Sequence, residues 1–203
     1  MKSTFVRVNS IFFYIFFAFL LRLIFRIKRQ EIPVLRKENN YIIASNHVSK
    51  LDPFLILASL PFTTFLKLIP IWFVTTNEYL IKWYYRLPLL ALGCISTKQR
   101  KNEKVLDLLK NLLANGDTIF IFPMGGIKKR AKRTKVGVVY LEREVKNSFI
   151  IPVNINISLN ISLANIFFRS VSVNVRFKQP YRHKIFSDDL QPLADEVMRR
   201  IFI

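Results

Sequence analysis

The residues best suited to chemistry are grouped near position 50, in the run Asn46-His47-Val48-Ser49-Lys50-Leu51-Asp52. Tyr41 to Ser45 reads as a short strand, so His47 leaves its end on a loop, and Asp52 follows five residues later with Pro53 behind it. Aspartate followed by proline is a helix-start signal, with Asp52 as cap and Pro53 as the first helical residue. A loop turning back there brings the carboxylate to the far ring nitrogen of His47. Such a bond fixes the tautomer and raises the basicity of the exposed nitrogen. A histidine held this way can take a proton from an alcohol attacking a thioester. No serine nucleophile is needed, and neither Ser45 nor Ser49 has a G-x-S-x-G setting.

A second candidate group follows the apolar run Thr118 to Phe122. Pro123, Met124, Gly125 and Gly126 lead through Ile127 into Lys128, Lys129 and Arg130, then Lys132, Arg133 and Lys135. The two glycines let the backbone approach a phosphate and present its N–H groups, with cations close behind. His183, in Tyr181-Arg182-His183-Lys184, reads as a surface loop residue. The single cysteine, Cys94, cannot form an internal disulfide and lacks the clustering of a zinc site; it reads as a small buried hydrophobe in a reducing, cytoplasm-facing compartment.

The elements that must position these groups alternate in type. Glu103 to Asn115 has apolar residues at Val105, Leu108, Leu109 and Leu112, a helical spacing that Gly116 stops. Thr134 to Lys146 reads as another helix. Phe149 to Ser158 and Arg169 to Phe177 read as strands, and an amphipathic helix starting near Ser187 ends the chain. Phe62 to Tyr85 is apolar and of uncertain type, and Leu87 to Ile95, with Pro88 and Gly93, leads into a strand. Strands alternating with helices over 203 residues predict one α/β domain, a mixed sheet flanked by helices.

The N-terminus is different. Ile11 to Leu21 carries no charge, and after Arg22 the apolar run resumes before Arg26, Lys28 and Arg29. Its Ile, Leu and Phe residues favour insertion by roughly 4 kcal/mol, against roughly 3 kcal/mol for one central Arg. The uncharged run is only about half the ~20 residues that cross a bilayer. A helix lying in the interface, or a short re-entrant hairpin, is therefore expected, with Arg22 snorkelling to the headgroups. Residues 1–30 are read as a membrane-anchoring segment and 31–203 as the catalytic domain. The surplus of 32 basic over 13 acidic residues, a formal net charge of +19, calls for an anionic partner. Nothing resembles a nucleic-acid motif, so lipid is expected rather than nucleic acid.

The seven residues around His47 resemble the N-H-x4-D motif of the lysophosphatidate (1-acyl-sn-glycerol-3-phosphate) acyltransferases. Three further stretches resemble that family's blocks in the same order. Thr76-Asn77-Glu78-Tyr79-Leu80, with Pro88, Gly93 and Ile95, is similar to the second; Lys98 or Arg100 can stand for its closing arginine. Gly116 to Gly126 is similar to the third, a strand leading into FPEGTRS, with Lys135 and Gly137 as its basic-x-Gly sequel. Ile151-Pro152-Val153 is similar to the fourth, an apolar turn lining the acyl site. The resemblance covers residues 30 to 178. It implies the glycerolipid acyltransferase fold, a fatty acyl transfer from acyl-CoA or acyl-carrier protein to lysophosphatidate, no metal and no other cofactor. It makes His47 the general base and Asp52 its orienting partner. It places Asn46, Lys98, Pro123, Gly125, Gly126, Lys128, Lys129 and Arg130 around the substrate, and the protein on the cytoplasmic face of the membrane.

In the third block Met124 replaces a glutamate, Gly126 a threonine and Ile127 an arginine. Loss of the arginine removes a bidentate phosphate contact, which Lys128, Lys129 or Arg130 is expected to replace. The departures leave other lysophospholipids or glycerol 3-phosphate open as acceptor, and also a lipid-binding relative without turnover.

Overall fold

Seven strands make one sheet. In chain order they are β1 (Arg26–Gln30), β2 (Asn40–Ser45), β3 (Ile71–Thr75), β4 (Cys94–Ser96), β5 (Thr118–Ile121), β6 (Ser148–Ile157) and β7 (Ser172–Phe177). Across the sheet the order is β1-β7-β6-β2-β5-β3-β4, with every neighbouring pair parallel except β6–β7. The computed structural model describes residues 3–76, 83–97, 105–127, 134–158, 171–184 and 188–203. The helices among them are α1 (Ser3–Ile24), α2 (Asp52–Ser59), α3 (Phe62–Leu68), α4 (Trp83–Ala91), α5 (Val105–Ala114), α6 (Gly137–Glu144) and α7 (Gln191–Phe202). The mixed α/β sheet flanked by helices is the architecture expected from the sequence.

Strand composition explains the layering. β2 is buried along Tyr41-Ile42-Ile43-Ala44, as a central parallel strand covered on both faces must be. Alternate residues feed two cores. Ile43, Phe120, Ile151, Val153, Val173, Val175 and Phe177 meet α1, α2 and α3 on one face. Ile42, Ala44, Ile119 and Ile150 meet α5, α6 and α7 on the other. The short strand β1 was not foreseen, because Arg26-Ile27-Lys28-Arg29-Gln30 reads as a basic linker; an edge strand needs only one apolar contact, and Ile27 supplies it. Asn77 to Leu80, Arg100, Arg169 and Ser187 lie outside the described residues.

Residues 3–24 form one continuous helix with a π-helical turn at Tyr14–Ala18, not a hairpin. Its inner side is tied to the domain by polar bonds. Ser3 Oγ donates to Asp117 Oδ2 (2.8 Å), which also accepts from Trp72 Nε1 (2.8 Å). An Arg7 Nη2 donates to the carbonyl of Ile69 (3.0 Å) and the Tyr14 hydroxyl to that of Leu60 (2.5 Å). Gly93 permits the close approach of the helix: at φ +80°, a Cβ there would stand 2.6 Å from the Ile71 carbonyl oxygen and 2.9 Å from Val6. The outer side carries exposed Phe5, Val8, Phe12, Ile15, Phe16, Phe19 and Leu23.

Arg22 is exposed yet bonded to the domain. Its Nε donates to Ala58 O (2.7 Å), and its Nη2 to Leu60 O (2.8 Å) and the Tyr14 hydroxyl (2.8 Å). A helix C-terminus leaves its last carbonyls without intrahelical donors, and a cation there also opposes the helix dipole. Arg22 serves both needs of α2, helped by Arg29 Nη1 donating to Ser59 O (3.1 Å). Replacing Arg22 by Met should therefore lower stability by about 1–3 kcal/mol, a fall in melting temperature of roughly 3–10 °C for a domain of this size. Arg26→Met, which loses no such bond, should stay within about 1 °C of the parent in the same thermal scan.

Candidate active site

β2 delivers the site. Its last residue, Ser45, lies beside Val153 of β6, and the chain then leaves the sheet at the carboxyl end of parallel strands, where open α/β sheets hold their ligands. Asn46 turns inward. It is buried, its Nδ2 donates to Ile155 O (2.8 Å) and its Oδ1 accepts from Ile155 N (2.8 Å). The side-chain amide thus copies a backbone peptide and extends the β2–β6 ladder by one step, which sets the departure point of His47.

The bend that follows closes on one oxygen. Asp52 Oδ2 accepts from Val48 N (2.6 Å) and Ser49 N (2.8 Å) and faces His47 Nδ1 at 2.8 Å. The helix cap is Leu51 rather than Asp52, which is the first helical residue with Pro53 next. The carboxylate therefore looks back into the loop rather than forward along its own helix. Asp52 is wholly buried, and its Oδ1 has no hydrogen-bond partner among the described residues. Because the carboxylate can only accept, the imidazole proton sits on Nδ1 and the Nε2 lone pair is left available. The His47 side chain keeps 16% of its surface exposed.

Phe122 covers one face of the imidazole, with ring centroids 4.0 Å apart and planes 15° from parallel. It begins the glycine turn. Gly125 N donates to Phe122 O (2.9 Å), and Lys135 N donates to the carbonyl of buried Pro123 (2.9 Å). Gly125 has φ +72°, and a Cβ there would lie 2.4 Å from Lys135 Cε and 2.5 Å from its Nζ. The cation laid across the turn is thus Lys135. Lys98, Lys128, Lys129 and Arg130 lie outside the described residues. Lys135 is the last of the cations predicted to follow the two glycines, and its basic-x-Gly setting is the signal that sets it apart from the others. No substituent crowds the place of a Gly126 Cβ within 4 Å.

An apolar seam runs between α1, α2, α3 and the sheet. Phe13, Tyr14, Leu57, Phe65 and Phe73 line it, with Phe54 half a turn beyond Asp52, and it encloses a cavity of about 20 Å³. Ile151-Pro152-Val153 is not a turn; it is the buried middle of β6, paired with Ile43, Ala44 and Ser45. His183 is not a surface residue either. It is buried, with Nδ1 2.6 Å from Glu142 Oε2, and its N–H donates to Glu142 Oε1 (2.8 Å). That pair welds the segment after β7 to α6, on the opposite core from His47. Cys94 is buried as expected, and burial pushes its thiol up to about 12, so it is protonated and inert at neutral pH. Among the described residues no cluster of His, Cys, Asp and Glu could hold a metal ion.

An imidazole oriented by a buried carboxylate, at the carboxyl end of a mostly parallel sheet and beside a glycine turn, is an arrangement suited to moving a proton during group transfer. The Acyltransferase family model matches residues 26–156, and the chain belongs to that family. Among solved structures it is similar to the 1-acyl-sn-glycerophosphate (LPA) acyltransferase PlsC from Thermotoga maritima. The TM-score is 0.66 at 18% identity, over 97% of this chain and 76% of that one. Comparison with curated proteins returns no match.

Loss of the Asn46 amide tests how the base is placed. Asn46→Ala leaves the N–H and C=O of Ile155 buried without partners, at a cost of about 2–4 kcal/mol. The expected outcome is a folded protein with a melting temperature lower by several degrees and a reduced kcat. An unchanged melting temperature would show that the two bonds contribute nothing.

Proposed function

We propose that this acyltransferase moves a fatty acyl group from acyl-CoA or acyl-carrier protein to the free hydroxyl of lysophosphatidate, forming phosphatidate at the cytoplasmic face of the membrane. The observation that carries this reading is the His47–Asp52 pair, with Nε2 free beside the glycine turn and Nδ1 held at 2.8 Å. His47 Nε2 takes the proton of the acceptor hydroxyl as its oxygen attacks the thioester carbonyl. The tetrahedral intermediate collapses, the C–S bond breaks, and the imidazolium returns its proton to the leaving thiolate. Asp52 stays ionised and stabilises the transient imidazolium.

The acceptor assignment draws on two supports. The Thermotoga protein of the same fold is described as acting on 1-acyl-sn-glycerophosphate. Lys135, laid over Gly125, offers a cation and an open turn to a phosphate monoester.

Membrane association rests on α1. It is long and apolar enough to cross a bilayer, with mean hydropathy 1.8. Its inner side, however, is bonded to Asp117, Ile69, Ala58 and Leu60. A helix so tied lies along the interface with its phenylalanine face down. The seam and the base then meet a lipid acceptor at the bilayer surface.

With labelled acyl donor and lysophosphatidate in detergent, His47→Ala should lose about 10³–10⁴-fold in kcat/KM and Asp52→Asn about 10²–10⁴-fold. Undiminished turnover in His47→Ala overturns the mechanism. Absence of turnover in the parent across a panel of acceptors would instead identify a lipid-binding relative. Lys135→Met should raise KM for lysophosphatidate about tenfold, the worth of one charge-assisted phosphate contact, and leave KM for a phosphate-free monoacylglycerol alone. Equal changes for both acceptors would remove Lys135 from phosphate recognition.

A further inference from the structure

Among the described residues, the helices that cover the sheet on the α7 side stop short of its β1 edge. α7 packs on β6 and β2 through Leu190, Ala194, Val197 and Ile201. Beyond it, three strands present a face built only from polar side chains. Pairing fixes which residues share it: Arg26, Lys28 and Gln30 of β1 lie level with Ser172, Asn174 and Arg176 of β7, and Asn174 and Arg176 with Asn156 and Asn154 of β6. The intervening Ile27, Val173, Val175 and Ile155 point into the opposite core. Each of the eight polar residues is exposed or half-buried.

The charge on this face is almost all positive. Where it meets α7, Lys178, Arg199 and Arg200 border a groove of about 420 Å³. Arg176 is paired with Glu31 and Arg200 with Glu196. Arg26, Lys28, Lys178 and Arg199 have no ion-pair partner among the described residues. Four free cations beside a flat row of amides form a complementary surface for an acidic partner.

Three observations narrow what that partner is. Among the described residues the strands bring no aromatic ring to the face, and Tyr181, which lines the groove, is covered by Arg200 at 4.1 Å from its ring centroid, so bases find nothing to stack on, as single-stranded nucleic acid would need. The bilayer is a poor match, because α1 carries the apolar row on the opposite face of the sheet. With about 10 Å between packed layers and a helix about 10 Å across, the basic face stands more than a Debye length of ~8 Å from the surface that α1 enters. A small anion would want an enclosing pocket, and this surface is broad and open. An acidic protein fits.

Position then relates it to catalysis. Asn46 bonds to Ile155, between Asn154 and Asn156, so the face begins on the strand next to the one that delivers His47. With strands about 4.8 Å apart, β7 lies roughly 10 Å and β1 roughly 15 Å from β2. We propose that this face docks an acidic carrier protein that bears the acyl thioester on a flexible arm, the arm reaching around the sheet end to His47. The proposal rests on the acyltransferase reading of His47 and selects between its two donors.

The test uses the full chain in detergent with Arg26→Glu, Lys28→Glu and Lys178→Glu combined, none of which touches the catalytic bend. KM for a donor borne on an acidic carrier protein should rise at least about tenfold, with a steeper loss at low salt. KM for the same acyl group on coenzyme A should change less than about twofold, with kcat kept for both. A parallel rise for both donors, or none for either, overturns the proposal. A second arm measures binding of the unacylated carrier protein to His47→Ala, with and without the charge reversals, by calorimetry. This arm does not need turnover, so it separates failure of the docking face from failure of the acyl-transfer reading. Salt-sensitive binding that the reversals abolish supports docking. Absent binding, or binding that survives the reversals, refutes it, as does an equal loss of affinity for anionic phosphatidylglycerol vesicles.

Discussion

A single carboxylate oxygen organises the catalytic end of this protein. Asp52 Oδ2 accepts two backbone N–H groups and orients the imidazole, all within 2.8 Å. Burial makes this arrangement demanding, since an unpaired carboxylate there would be strongly disfavoured. The same bonds that satisfy the charge also impose the loop geometry and the tautomer. The loop cannot drift without leaving the carboxylate short of donors, so the base stays placed in the absence of substrate. Preorganisation of this kind is worth more to catalysis than a stronger base held loosely.

That local closure depends on two longer reaches. Asn46 and Ile155 stand 109 positions apart and fix where the loop leaves the sheet. At the other end of α2, Arg22 and Arg29 hold the last carbonyls from α1 and β1. An arginine in an apolar helix costs about 3 kcal/mol in lipid, and the carbonyls it meets offset that cost. The N-terminal helix is therefore joined to the element that carries Asp52.

The His47–Asp52 contact was legible in the sequence because it is local: five residues, a strand before and an Asp-Pro helix start after. The alternating strands β6 and β7 and the amphipathic α5 and α7 were legible for the same reason, since their periodicity is written within ten or so residues. What sequence reading missed is non-local. Arg22 looks like a headgroup residue until Ala58 and Leu60 are seen beside it. His183 looks exposed in a run of Tyr, Arg and Lys until α6 supplies Glu142. Asn46 has the composition of a substrate ligand, yet its amide is taken by a strand far along the chain. Ile151-Pro152-Val153 lies within the strand predicted for Phe149 to Ser158, and only the resemblance to a family block suggested a turn; proline rarely sits inside a sheet. It does so here where the 10-residue β6 changes from pairing β2 to pairing β7.

The distribution of charge and apolar surface follows from the same layering. Alternation along a strand obliges neighbouring residues to face opposite sides. Ile27, Val173 and Val175 join the core under α1, and that forces Arg26, Lys28, Asn174 and Arg176 outward on the other side. The phenylalanine row of α1 and the basic row of β1 are thereby separated by the thickness of the sheet. The loop carrying His47 leaves between these layers, at the end of β2. A lipid acceptor approaching from the α1 side and a water-soluble anionic donor approaching from the β1 side would meet at that loop. On the proposed reading, one end of the sheet serves two substrates of opposite solubility without either crossing the other's path.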